Sequence, residues 1–122
     1  MVRVARDLAA ETHLSGPDFG VLSRLEDLGA GELRQQELAD SMGWDKARLS
    51  HHLTRMEGRG LVTRRPAGAK GSIVTLTAGG KRALRSARPV HSRAVRHHLF
   101  ARLTQDDRRR LRTICDALVE PE

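Results

Sequence analysis

Lys46, Ala47, Arg48, Ser50, His51, Thr54 and Arg55 crowd an ammonium, two guanidiniums, two hydroxyls and an imidazole into one short stretch. Such groups read polyanions. A guanidinium can donate two hydrogen bonds to a guanine edge, which makes Arg48 a base-reading candidate, with Ser50, His51 and Arg55 reading or clamping beside it. Lys46 and Thr54 suit phosphate oxygens, Ala47 shares their surface, and Gln36 opens the same segment. A second basic set, Arg64, Arg65 and Lys70, lies around the turn formers Pro66, Ala67, Gly68 and Gly71. A cation at the tip of such a turn can follow a phosphate backbone or enter a minor groove. A solvated hairpin is the bland alternative for that turn, as a solvated helix face is for each residue of the first set.

Other chemistries have weaker footing. His13, His91, His97 and His98 are metal ligands by type. Adjacent His97 and His98 nevertheless point about 100° apart on a helix, His91 and His97 do not share a face, and no acidic residue stands at ligand spacing beside them. No metal and no cofactor are expected. Cys115 is the single cysteine, so an intrachain disulfide is impossible and a reducing compartment fits. Its place on the inward stripe of the last helix predicts a buried, inert thiol. Neither a nucleophile elbow nor a phosphate-cradling glycine loop is present, so no enzyme is expected.

The elements that must hold the basic groups can be read from spacing. Ser15 and Asp18 form an S-x-x-D capping box, flanked by Leu14 and Phe19 as a staple, which predicts a helix from Gly16 with Phe19, Leu22 and Leu25 inward. It should end near Leu28, before Gly29 and Gly31, and Glu32-Leu33 can add a short strand. Leu38, Ala39 and Met42 make the stripe of a short helix stopped by Gly43. Asp45 can cap the next helix, whose inward face is Leu49, Leu53 and Met56, leaving the basic set outside. His52 falls toward the packing side. After Gly58 and Gly60, Leu61, Val62 and Arg64 start a strand that returns through Ile73, Val74 and Leu76. Thr77 can cap a long helix through Leu84, Ala87, Val90, Ala94 and Leu99. Thr104 and Asp107 open a last helix bearing Leu111, Ile114, Cys115 and Leu118. The fold class is therefore mainly α with a small β-wing: a winged helix-turn-helix plus dimerisation helices.

The run ELADSMGWDKARLSHHLTRMEGRGLVTRR, preceded by Phe19 and Val21-Leu22 and followed by VTLTAGGKRAL, resembles the MarR (multiple antibiotic resistance regulator) family of bacterial transcription factors. The likeness runs from Leu14 to Leu118, and its most specific part is R-x-G-L-V-x-R-R followed by V-x-L-T-x-x-G. It implies one MarR-like domain over residues 1–122: a short first helix over 1–14, a winged helix-turn-helix lobe over 15–77 and two dimerisation helices over 78–122. It also implies a small aromatic or phenolic ligand between lobe and dimer helices, where His13, Phe19, Trp44 and His91 are the candidates. Three departures stand out. Gly68 and Lys70 occupy the positions of the family's wing Asp-x-Arg in a shorter loop, the first helix is short, and Arg34 stands where a threonine-like cap is usual.

A formal net charge of +7 over 122 residues favours a polyanionic partner. Charge alone also fits RNA or an anionic membrane. No apolar run approaches the ~20 residues of a membrane span, and the first residues lack a signal-peptide core, which predicts a cytoplasmic protein with no membrane partner. With two Phe, one Trp and no Tyr, base stacking on an RNA-binding sheet is disfavoured, leaving double-stranded DNA. The apolar stripe of the last helix predicts a homodimer, and two heads about one helical turn apart predict a pseudo-palindromic operator. The expected function is a sequence-specific regulator, a repressor by family analogy, with a sequence-neutral architectural DNA-binding protein as the alternative.

Overall fold

Helix α1 (Gly16–Gly29) begins where the capping box requires: the Ser15 hydroxyl accepts from the Asp18 N–H at 3.0 Å, and the Asp18 carboxylate accepts from the Ser15 N–H at 2.9 Å. Its inner face is Phe19, Val21, Leu22 and Leu25. The helix ends one residue beyond the expected Leu28, and Ala30 takes the left-handed cap conformation (φ 53°) that glycine usually fills. The chain then forms β1 (Glu32–Arg34), α2 (Gln35–Met42) and α3 (Lys46–Gly58). The β-hairpin β2 (Val62–Pro66) and β3 (Ser72–Leu76) follows, and helices α4 (Ala78–Phe100) and α5 (Gln105–Val119) complete the chain. This computed structural model describes Arg3, Arg6, Asp7 and residues 12–69 and 71–119. The expected first helix over 1–14 lies mostly outside the described residues, as does Lys70.

The three strands pair antiparallel in the order β1-β3-β2, with Leu33 and Arg64 on either side of Val74. Glu32-Leu33 thus adds the third strand that the sequence suggests. The core lies where α1, α2, α3 and the sheet meet: Leu22, Leu25, Leu38, Leu49, Leu53, Met56 and Val74 are all fully buried. At about 2 kcal/mol for each such side chain, the inward face of α3 alone contributes enough to hold that helix in one orientation.

Arg34 precedes α2 without offering a side-chain hydrogen bond, so the departure from a threonine-like cap leaves that helix start unsupported, at about 1 kcal/mol. Asp45 caps α3 by accepting from the Arg48 N–H at 2.8 Å. Thr77 caps α4, and its hydroxyl also donates to the Gly60 carbonyl at 2.6 Å, tying the start of α4 to the end of α3. Thr104 and Asp107 form the capping box of α5. Among the described residues no helix is long and apolar enough to cross a membrane.

The last helix departs from one expectation. Cys115 is exposed, together with Ile114 and Leu118, because none of the described residues covers the stripe.

Candidate nucleic-acid interface

Burying Leu49, Leu53 and Met56 leaves α3 with three distinguishable outer surfaces. Ala47, His51 and Thr54 are exposed opposite the core and form its outermost face. Toward the hairpin, Ser50, Thr54 and Glu57 meet Arg64. The guanidinium donates to Glu57 Oε1 at 2.7 and 3.0 Å, to Thr54 Oγ1 at 2.8 Å and to Ser50 Oγ at 3.2 Å. Arg64 therefore acts as a bracket that sets the angle between hairpin and helix, and its own donors are largely engaged. Neighbouring Arg65 lies on the opposite side of the strand, exposed, with Glu32 at 3.3 Å.

On the other flank Arg48 lies over the Trp44 indole, its guanidinium carbon 4.0 Å from the ring centroid. Arg48, Arg55, Arg59, Trp44 and His13 line a cleft of about 600 Å³ whose floor holds Asp18 and His52. A smaller cleft, about 340 Å³, collects Gln36, Lys46 and the hairpin residues Ala69, Gly71 and Ser72. Here Gln36 donates to Asp40 Oδ1 at 2.8 Å. The candidates on α3 and Arg64 thus divide into an outer face, a hairpin-side bracket and a cationic flank, while Gln36 and Lys46 line the smaller cleft and Arg65 lies across the strand. Lys70, assigned to the hairpin tip, lies outside the described residues.

A buried node that spacing does not announce joins these parts. Asp18 is 3% exposed, and beyond its capping role its Oδ2 accepts from Arg59 at 2.7 Å while its Oδ1 lies 2.9 Å from His52 Nε2. Arg59 also donates to the His13 carbonyl at 2.8 Å, and His13 adopts a left-handed φ of 61°. Arg55 Nη2 lies 3.2 Å from His52 Nδ1 and can only donate, which assigns the imidazole proton to Nε2, facing Asp18 off the axis of a straight hydrogen bond. Burial holds His52 below its ordinary pKa, and the Arg55 and Arg59 charges reinforce this against the pull of Asp18, which favours the neutral ring. The partners lie 34 and 41 residues from Asp18, too far for any local pattern to reveal.

The four ligand candidates separate into pairs. His13 and Trp44 line the 600 Å³ cleft, whereas Phe19 stacks on His91 with centroids 4.2 Å apart and planes inclined by 20°. Burial, then the Arg88 charge, lowers the His91 pKa and favours the neutral ring in the stack. Among the described residues no three His, Cys, Asp or Glu side chains converge as metal ligands. His98 does gain an acidic neighbour, Asp7 at 2.7 Å, brought from the far end of the chain rather than from a ligand spacing.

The MarR family model matches residues 14–67. A MarR family transcriptional regulator from Streptomyces coelicolor, solved in complex with DNA, is 31% identical over 99% of this chain and 80% of that chain, with a TM-score of 0.78. AbsC, another MarR family regulator of that organism, is 29% identical over 98% of this chain and 79% of its own, with a TM-score of 0.77. Oxidised MarR from E. coli shares the fold at a TM-score of 0.74 and 23% identity, over 98% and 88% of the two chains. No curated protein matches the sequence significantly. With this winged-helix architecture and that degree of identity, the chain belongs to the MarR family of transcriptional regulators.

Proposed function

We propose that the protein is a sequence-specific double-stranded DNA-binding repressor that acts as a homodimer on a pseudo-palindromic operator and is released by a small aromatic anion. The observation that carries the reading is the outward face of α3. Ala47, His51 and Thr54 stand exposed on a helix whose other side is locked by three fully buried residues, beside a hairpin braced by Arg64. Such a face can enter a major groove without rearrangement. His51 is the base-reading candidate of that face and Arg48 of its flank, while Gln36, Lys46, Arg65 and Lys70 supply phosphate contacts. A MarR family relative was solved bound to DNA, which supports the assignment.

The dimer reading rests on α5, where Ile114 and Leu118 are 57% and 80% exposed. Two copies that bury this stripe would place two α3 helices in successive major grooves, and a dimer straddling a promoter blocks polymerase. Ligand release has its best support in the cleft beside Trp44: an aromatic anion there would pair with Arg48 and Arg55, taking both from DNA.

Sedimentation equilibrium combined with DNA-binding anisotropy tests the proposal. The protein should sediment as a dimer, and I114E/L118E should sediment as a monomer with operator affinity reduced about 100-fold or more. A monomer that binds a single site with undiminished affinity would contradict it. An aromatic carboxylate that leaves the affinity of the dimer unchanged would remove the release step.

A further inference from the structure

Most of the net positive charge of the chain lies away from the recognition helix. Residues 15–77 hold nine Lys and Arg against eight Asp and Glu, so the winged-helix lobe is close to neutral. Helix α4 carries Lys81, Arg82, Arg85, Arg88, Arg93 and Arg96 and not one acidic residue. At 100° per residue these six project within an arc of roughly 140°, opposite the buried stripe of Leu84, Ala87 and Ala94. From Lys81 to Arg96 the row runs roughly 22 Å along the helix. Lys81, Arg82, Arg85 and Arg96 are exposed, and Arg88 is held by Glu26 and Asp27 from the end of α1.

We propose that this face of α4 is a second DNA-binding surface, which engages the phosphates of a second duplex while the recognition helix holds its operator. The inference rests on the operator-binding reading. Charge complementarity identifies the occupant: five of the six cations are arginines, whose planar forks suit phosphate oxygens, and between Lys81 and Arg96 only Pro89 and Ser92 share their arc. Pairing this face with its own copy would bring like charges together, so it does not serve as the two-fold seam. The row also begins at the end of the sheet away from the hairpin tip. Helix α4 starts after Leu76, which pairs with Val62 at the base of the hairpin, while the turn between Pro66 and Ser72 forms the opposite end. The helix caps onto Gly60 at that base. One dimer can therefore bridge two DNA segments.

Bridging can be read by capture. An operator duplex is fixed to beads, the protein is added at near-physiological salt, and a labelled duplex without operator sequence is offered. The wild type should retain the second duplex and release it as salt rises, whereas R82Q/R85Q/R96Q should keep operator affinity within about two-fold and lose capture at least ten-fold. Because the three side chains are exposed, the variant keeps its core; an unchanged melting temperature checks this. Capture that the variant retains would assign bridging to the two winged heads and overturn the proposal. So would a wild-type protein that holds the operator but no second duplex, and binding only to phosphatidylglycerol vesicles would turn the face toward a membrane instead. If the beads retain no protein at all, the operator reading itself fails.

Discussion

Replacing Asp18 by asparagine separates the charge of the buried node from its shape. The amide of D18N carries no negative charge, yet its carbonyl oxygen can still accept from the Ser15 N–H and keep that half of the cap. What is lost is the anion that faces Arg59 Nη1 at 2.7 Å and His52 Nε2 at 2.9 Å. Breaking a fully buried pair costs about 3–5 kcal/mol, but the Arg59 side chain is 44% exposed and water screens its share. The expected loss for D18N is therefore about 2 kcal/mol, and D18A should lose about 1 kcal/mol more because the Ser15 N–H loses its acceptor as well. Urea unfolding at pH 7.5 and one fixed protein concentration reads both values. A D18N variant within about 0.5 kcal/mol of wild type would refute the view that this carboxylate fastens α3 to α1.

The same node predicts acid sensitivity with two onsets. Burial favours neutral His52 in the folded chain, so the unfolded chain binds the proton more readily, and stability should begin to fall as pH drops through 6.5. Burial raises the Asp18 pKa, but the Arg59 hydrogen bond, the Ser15 N–H and the Arg59 charge outweigh it; a second loss should therefore begin below pH 3.8 as the carboxyl protonates. Unfolding free energies across pH 8 to 3 check this, and H52Q should shrink the first onset to the share contributed by His91, whose pKa burial also lowers. R64M should weaken DNA binding at least ten-fold in anisotropy and cost about 1–2 kcal/mol of stability, since Glu57, Ser50 and Thr54 lose their common donor. In G80A the added methyl would overlap the Leu61 carbonyl oxygen and crowd Leu76, so this variant should lose about 3 kcal/mol or fail to fold by circular dichroism, whereas G58A, with open space around it, should not.

Much of the fold was legible because its signals are local. The Ser15–Asp18 and Thr104–Asp107 boxes, Asp45 and Thr77 start their helices as their side-chain chemistry dictates, and Gly43 stops α2 at a φ of 66°. The inward faces of α1 and α3 follow from helical spacing. What was not legible depends on partners far away in sequence. Asp18 reads as a cap, and only folding brings His52 and Arg59 to it. Arg64 reads as a hairpin cation, but its neighbours Ser50, Thr54 and Glu57 lie on another element and turn it inward. Cys115 reads as inward by periodicity, yet periodicity says only which residues share a face, and that face is exposed in the single chain. Net charge was informative about the kind of partner and silent about place: its surplus lies on α4, not on the lobe that carries α3.

Sequence-specific reading of duplex DNA by α3 is the central claim, and selection of bound sequences from a random duplex pool at near-physiological salt tests it most directly. The account predicts an enriched pseudo-palindrome whose half-sites lie about ten base pairs apart, with preference lost at one position of each half-site in the His51→Ala variant. A pool that binds strongly, enriches no motif and is released as salt rises would contradict it and make the protein a sequence-neutral DNA-coating protein.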